Sequence, residues 1–211
     1  MTPNITITRD RIRNHFHYFW WQYALLIALA IFGWNLLYTT TRYRAPAHLK
    51  MDWFYEGSIV ADTQQKADAL MADLTAQLFP DMEEVGFTVV GLDENYGSMQ
   101  IMVWMAAGEG DLYMLAQDSF PQYAQGGSML DLTPWVEDGT LNVEGLELKR
   151  GYVRDEDTGE RYLCGIPAGH LTGLNEYGIF PENTYLSVLS NGGNTDNTIK
   201  LMSWLLENMR E

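Results

Sequence analysis

The chain has 211 residues, 46% of them hydrophobic, with 13 Lys/Arg against 28 Asp/Glu and a net charge of −15. One cysteine rules out an internal disulfide framework. The charge is unevenly spread: residues 1–50 carry +5 and residues 51–211 carry −20, a balance that excludes phosphate-backbone binding and predicts no nucleic-acid partner.

The stretch 18–38, with Tyr18 and Tyr38 at its ends, is 21 uncharged, mostly apolar residues. At the helical rise it spans about 31 Å, the thickness of a bilayer core, which makes the lipid bilayer the first expected partner. Phe16, Phe19, Trp20, Trp21 and Tyr23 mark one interface, and Trp34 and Tyr43 the other. Nine strongly apolar residues contribute roughly −3 to −5 kcal/mol to insertion. A buried core helix and a cleaved signal ending near Ala28-Leu29-Ala30 are the rivals, but the apolar run continues past that site. Three Lys/Arg flank each side, so only the terminal amine tips the orientation. The expected organisation is an N-terminal cytoplasmic tail (1–17), a transmembrane helix (18–38), a tether (39–50) and an extracytoplasmic domain (51–211). The corresponding location is a cell membrane, single-pass, with the C-terminal domain outside.

Within that domain, 51–55 reads as a strand stopped by Glu56-Gly57. A helix follows over 63–79, begun by a capping-box-like Asp62 and Gln65 and closed by Pro80. Residues 86–92 have the β-branched and aromatic content of a buried strand. The apolar block 99–107 fits a helix or a strand, 111–116 a strand, and 119–125 a short helix. This alternation predicts a parallel sheet with crossover helices. Segments 146–153 and 161–166 flank a polar Asp155–Gly159 turn and predict a hairpin; 185–189 predicts a strand. A last helix over 195–209 places Ile199, Met202, Leu206 and Met209 on one face, with Asp196 and Arg210 suiting its dipole.

Several stretches carry a resemblance. Ala106-Ala107-Gly108-Glu109-Gly110-Asp111-Leu112-Tyr113, the helix-like 120–127, the corner Leu130-Asp131-Leu132-Thr133-Pro134-Trp135-Val136, and Tyr162-Leu163-Cys164-Gly165-Ile166-Pro167 are its patches. Together they resemble the extracellular solute-binding proteins of ABC importers, sugar-binding type, over about 50–210. Cys164 stands where that family usually has a tyrosine. The resemblance implies a three-layer α/β lobe of the periplasmic-binding-protein type II kind. Only 17 residues separate Pro167 from Tyr185, where the family places most of its second lobe, so it implies a single truncated lobe. It also implies a small solute such as a sugar, and an ABC transporter or other membrane protein, as partners.

Ligands of open α/β sheets bind beyond the carboxyl ends of strands. The candidates there are Glu56, Gly57, Asp93, Glu94, Asp118 and Ser119, with Tyr123, Trp135 and His170 for stacking or hydrogen bonding. Each has a plainer role open to it, Asp118 or Ser119 as a helix cap and Trp135 as core. No GxSxG elbow, P-loop or dinucleotide fingerprint is present. The histidines show no zinc spacing, and position 166 is Ile where a calcium loop needs Glu. The sequence therefore predicts no catalytic residue, metal or cofactor. Its functional reading is a membrane-anchored solute-binding-like domain accessory to a carbohydrate transporter. The alternative is a tethered protein-interaction module that has lost ligand binding.

Overall fold

The computed structural model describes residues 9–43, 45–58, 60–91, 96–154 and 159–210. The chain divides into two compact units, Met1–Arg44 and Ala45–Glu211. Among its described residues the first holds a single helix, α1 (Arg9–Thr41). Its apolar part, His17–Thr41, has a mean hydropathy of 1.6, and none of it is buried within the chain. Leu26, Ile31, Phe32 and Trp34 are all more than 60% exposed, an arrangement that suits lipid rather than water. The helix continues past Tyr38 into residues assigned above to the tether. The hydroxyls of Thr39, Thr40 and Thr41 donate to the carbonyls of Asn35, Leu36 and Leu37 at 2.6, 2.9 and 2.6 Å, so they satisfy themselves on the helix.

The second unit is built on a five-stranded mixed sheet. Its strands are β1 (Lys50–Gly57), β2 (Glu84–Gly91), β3 (Leu112–Ala116), β6 (Ile166–Pro167) and β7 (Thr184–Val188), in the order β2-β1-β3-β7-β6. β1 pairs in parallel with both β2 and β3, with Trp53 opposite Phe87 and Leu112. The helices α2 (Thr63–Leu78) and α3 (Gly97–Ala107) make the crossovers, so the ambiguous block 99–107 is helical. Ser119 leads into α4 (Phe120–Gln125). Further on come α5 (Thr133–Glu137), the small hairpin β4 (Tyr152–Arg154) and β5 (Arg161–Leu163), and α6 (Thr195–Asn208).

Strand alternation sorts the core into two layers. Met51, Trp53, Tyr55, Leu112, Met114, Leu186 and Val188 face α2 and α6, while Phe54, Tyr113, Leu115 and Tyr185 face α3 and α4. Both faces are covered, which is why β1 and β3 read as near-continuous apolar runs. The domain is a three-layer α/β fold.

Three expectations are corrected. The first strand is not stopped by Glu56-Gly57 but runs through them, since Glu56 and Gly57 pair with Val90 and Gly91. Asp62 adopts a left-handed conformation (φ 70°) and makes no capping hydrogen bond; Gln64 instead donates to Asp68 and to the Phe87 carbonyl. The sheet is parallel only for β2, β1 and β3, because β7 runs antiparallel to β3. The excursion between β3 and β7 begins and ends at the same end of the strands, where the Gln117 N–H donates to the Asn183 carbonyl at 2.7 Å. A chain that leaves and re-enters at the same end must run back antiparallel.

Candidate functional site

The carboxyl ends of β1 and β3 lie side by side, with α2 following the first and α4 the second on opposite faces of the sheet. This is the crevice position where α/β sheets place ligands. Glu56 sits there, 4% exposed, on the face covered by α3 and α4. One carboxylate oxygen accepts the Ala116 N–H at 3.0 Å and the Ser119 hydroxyl at 2.5 Å; the other accepts the Tyr123 hydroxyl at 3.2 Å. Ser98 of α3 also hydrogen-bonds Tyr123. No Lys or Arg pairs with Glu56 among the described residues. Buried carboxylates ordinarily have such a cation. Here three neutral donors take its place and tie β1, the β3–α4 loop and α4 together. Burial, reinforced by the neighbouring Glu56 charge, pushes the Tyr123 phenol up to about 12. Tyr123 is therefore a fixed donor at physiological pH, and the cluster braces the loop.

The other sequence-derived candidates scatter. Gly57 is buried where a Cβ would fall 1.9 Å from the Tyr55 ring, so its role is steric. Asp118 is exposed at the rim of the β3–α4 loop. Asp93 and Glu94 lie outside the described residues. Trp135 packs on the opposite layer and lines a separate groove of about 470 Å³ with Trp204, Asp138 and Asp196.

His170 keeps company with Arg210 rather than with Glu56. Burial, with Arg210 adding to it, pushes the imidazole down to about 4. Its unfolded value is near 6.5, so between pH 4 and 6.5 the unfolded chain binds the extra proton. Stability from this group is thus complete above pH 6.5 and lost as pH falls toward 4. The full shift discounted for half-exposure amounts to about 1–2 kcal/mol. His170→Gln is expected to remove that part of the acid loss, measured as the difference in urea midpoint between pH 7 and pH 4.5. An unchanged difference would show that His170 is solvated.

On the outer side of the braced loop opens a pocket of about 300 Å³, lined by Gln117, Phe120, Pro121, Arg150 and Tyr185. Its aromatic floor is the stacked pair Phe120 and Tyr185, with centroids 4.6 Å apart and planes inclined 16°. Phe120, Pro121 and Arg150 also line an adjoining groove of about 720 Å³ that reaches Tyr152 and Arg154 on β4. The Arg161 guanidinium lies over the Tyr152 ring at 5.4 Å. None of Gln117, Arg150 and Tyr185 was among the candidates. The available signal was charge: Lys149, Arg150, Arg154 and Arg161 are four of the seven bases in residues 51–211. The acidic turn between them, 155–157, lies outside the described residues.

Cys164 is fully buried, and burial pushes its thiol up to about 12. It is expected to resist a thiol reagent in the native chain and to react on unfolding; equal rates would contradict its burial. No group of three or more His, Cys, Asp or Glu side chains able to hold a metal occurs among the described residues.

No family model and no curated protein matches the chain. The likenesses are to solved structures. An extracellular solute-binding protein of family 1 from Alicyclobacillus acidocaldarius matches with a TM-score of 0.42 and 19% identity, over 61% of this chain and 29% of that one. An ABC substrate-binding protein from Listeria monocytogenes, in complex with cycloalternan, gives 0.38 and 23%, over 55% and 28%. A de novo designed esterase gives 0.41 and 17%, over 56% and 27%. The chain spans about three tenths of the length of these matched proteins. Because a shared fold hosts unrelated functions, the site must carry the functional argument.

Proposed function

We propose that this chain is a single-pass membrane protein whose C-terminal domain binds a small solute outside the cytoplasm without catalysing a reaction, as an accessory to an ABC-type carbohydrate transporter. In this reading the tail 1–17 is cytoplasmic, 18–38 crosses the bilayer, and the acidic domain stands off anionic lipid on its tether. The domain acts as one lobe of a solute-binding protein. The observation that carries the proposal is an aromatic-floored, polar-rimmed pocket beside the carboxyl end of β3, on a domain joined to an exposed apolar helix.

Thermal unfolding of the full chain in lipid nanodiscs, against sugars, polyols, oligosaccharides, amino acids, organic acids and short peptides, tests solute binding. A ligand at 100 times its Kd adds about 2.7 kcal/mol, a shift of several degrees. Saturable stabilisation by one class is expected; a folded chain silent across the panel would overturn solute binding. Anchoring has its own test. Leu29→Arg costs about 2.5–3.5 kcal/mol of insertion, most of what the apolar residues supply. The substituted chain is expected to shift from the membrane pellet to the alkaline-carbonate supernatant, and retention equal to wild type would contradict a spanning helix.

A second reading rests on α3. Its outward side exposes Met99 (66%) and Val103 (60%), with Tyr96 (82%) just before the helix, an apolar face such as an interaction module would present. Silence toward every solute would favour this reading.

A further inference from the structure

We infer that the pocket between the β3–α4 loop, Arg150 and Tyr185 is a site for a small organic carboxylate, the anion held by Arg150 and the rest of the molecule lying against the Phe120–Tyr185 floor. This deepens the solute-binding reading and rests on it. Four observations converge on it. Tyr185 is 4% exposed as a residue, but its hydroxyl is not among the buried polar atoms, lines the pocket and makes no hydrogen bond among the described residues. Its O–H is therefore available to a ligand. The Arg150 guanidinium, close enough to Tyr185 to influence its ionisation, makes no ion pair or hydrogen bond among the described residues. The Gln117 side chain lines the same pocket and is likewise without a hydrogen bond there. Finally, Arg150 is one of four bases that fall within residues 149–161, out of seven in a domain whose net charge is −20.

A guanidinium fork, a phenol O–H and an amide N–H are the donor set that one carboxylate group satisfies. Among the described residues, Arg150 is the single charged residue that lines the pocket, and one guanidinium matches the charge of a monoanion. A phosphate monoester, at about −1.5 to −2, would enter a strongly negative domain with one guanidinium to meet it. The volume of about 300 Å³ is at the small end of ligand pockets and fits a single ring rather than a chain of sugars. The cluster at Glu56 contributes indirectly: by fixing Ala116 and Ser119 it holds Gln117 and Phe120 in place.

Isothermal titration of the full chain in nanodiscs with D-glucuronate, benzoate, D-glucose and inorganic phosphate tests the assignment. Saturable binding of glucuronate or benzoate is expected, with neither glucose nor phosphate competing. Arg150→Gln, at an exposed position where substitution leaves the fold intact, is expected to weaken that binding about 10-fold or more. Tyr185→Phe keeps the aromatic stack and is expected to weaken it several-fold. Carboxylate binding unchanged in Arg150→Gln, or phosphate binding more tightly than either carboxylate, overturns the assignment. If the carboxylates fail while a neutral solute stabilises the chain, the assignment falls and the solute-binding reading stands. If the carboxylates and the whole solute panel fail, both fall.

Discussion

Replacing Glu56 by alanine is expected to destabilise the domain by about 3–5 kcal/mol, lowering its melting temperature by roughly 10 °C. The carboxylate is the common acceptor for the Ala116 N–H, the Ser119 hydroxyl and the Tyr123 hydroxyl. Deleting it strands those donors in a buried region and opens a void between β1 and α4. Stranding costs more than the lost bonds were worth, because each unmade donor bears its full desolvation penalty. Ser119 keeps a second acceptor in the Ala116 carbonyl at 3.2 Å, and Tyr123 keeps Ser98, which holds the total below the sum of three separate losses. Glu56→Gln retains the shape and one acceptor and is expected to cost about 1–3 kcal/mol. Tyr123→Phe, removing one donor, is expected to cost about 1 kcal/mol. Chemical denaturation of the full chain in nanodiscs, followed by circular dichroism, gives the order Glu56→Ala, Glu56→Gln, Tyr123→Phe. A loss below about 1 kcal/mol for Glu56→Ala would mean that water reaches the carboxylate, and the bracing role would fall.

Gly151→Ala is expected to cost about 3 kcal/mol and to disturb the pocket at the same time. A Cβ on Gly151 would lie 1.8 Å from the Gly165 carbonyl oxygen and 3.1 Å from a Leu163 methyl. The first is backbone and cannot rotate away, so the segments that flank the β4–β5 hairpin must separate. Their present approach is held by the Cys164 and Gly165 N–H groups, which donate to the Gly151 carbonyl at 3.0 and 3.2 Å. Overpacking of a close-packed interior ordinarily costs 1–3 kcal/mol, and a fixed backbone obstacle puts this site at the upper end. Arg150 immediately precedes Gly151, so the displacement moves its guanidinium away from Tyr185. The same denaturation measurement gives the stability loss. A variant as stable as wild type would show that the hairpin adjusts freely and does not position Arg150.

Much of the architecture is legible along the chain because it depends on local period. The helix over 63–79 appears as Thr63–Leu78, and the last helix over 195–209 as Thr195–Asn208, with Ile199, Met202 and Leu206 buried. Both have an apolar stripe at helical spacing on an otherwise polar surface. The block 99–107 was ambiguous for a physical reason: α3 is apolar on nearly every side, so no periodicity separates helix from strand. The site was less legible. Glu56 and Ser119 are candidates for their position beyond strand ends and Tyr123 for its chemistry, and the structure brings the three together as partners of one another. Trp135 and His170 were named for their chemistry, and the fold places them elsewhere. Arg150 and Tyr185 were passed over because neither sits after a parallel strand.

The sequence by itself determined that residues 18–38 form an apolar helix of membrane length, since transfer energy and helical rise are properties of consecutive residues. It also determined most of the strand and helix segments of the acidic domain, the block 99–107 and the short helix Thr133–Glu137 excepted. Only the tertiary structure decided that β7 returns antiparallel, that Glu56 turns inward onto neutral donors, and that Gln117, Phe120, Arg150 and Tyr185 enclose one pocket. Each of these depends on which side of a sheet a residue faces and on where a long excursion re-enters. Such contacts join residues dozens of positions apart, and no local pattern encodes them.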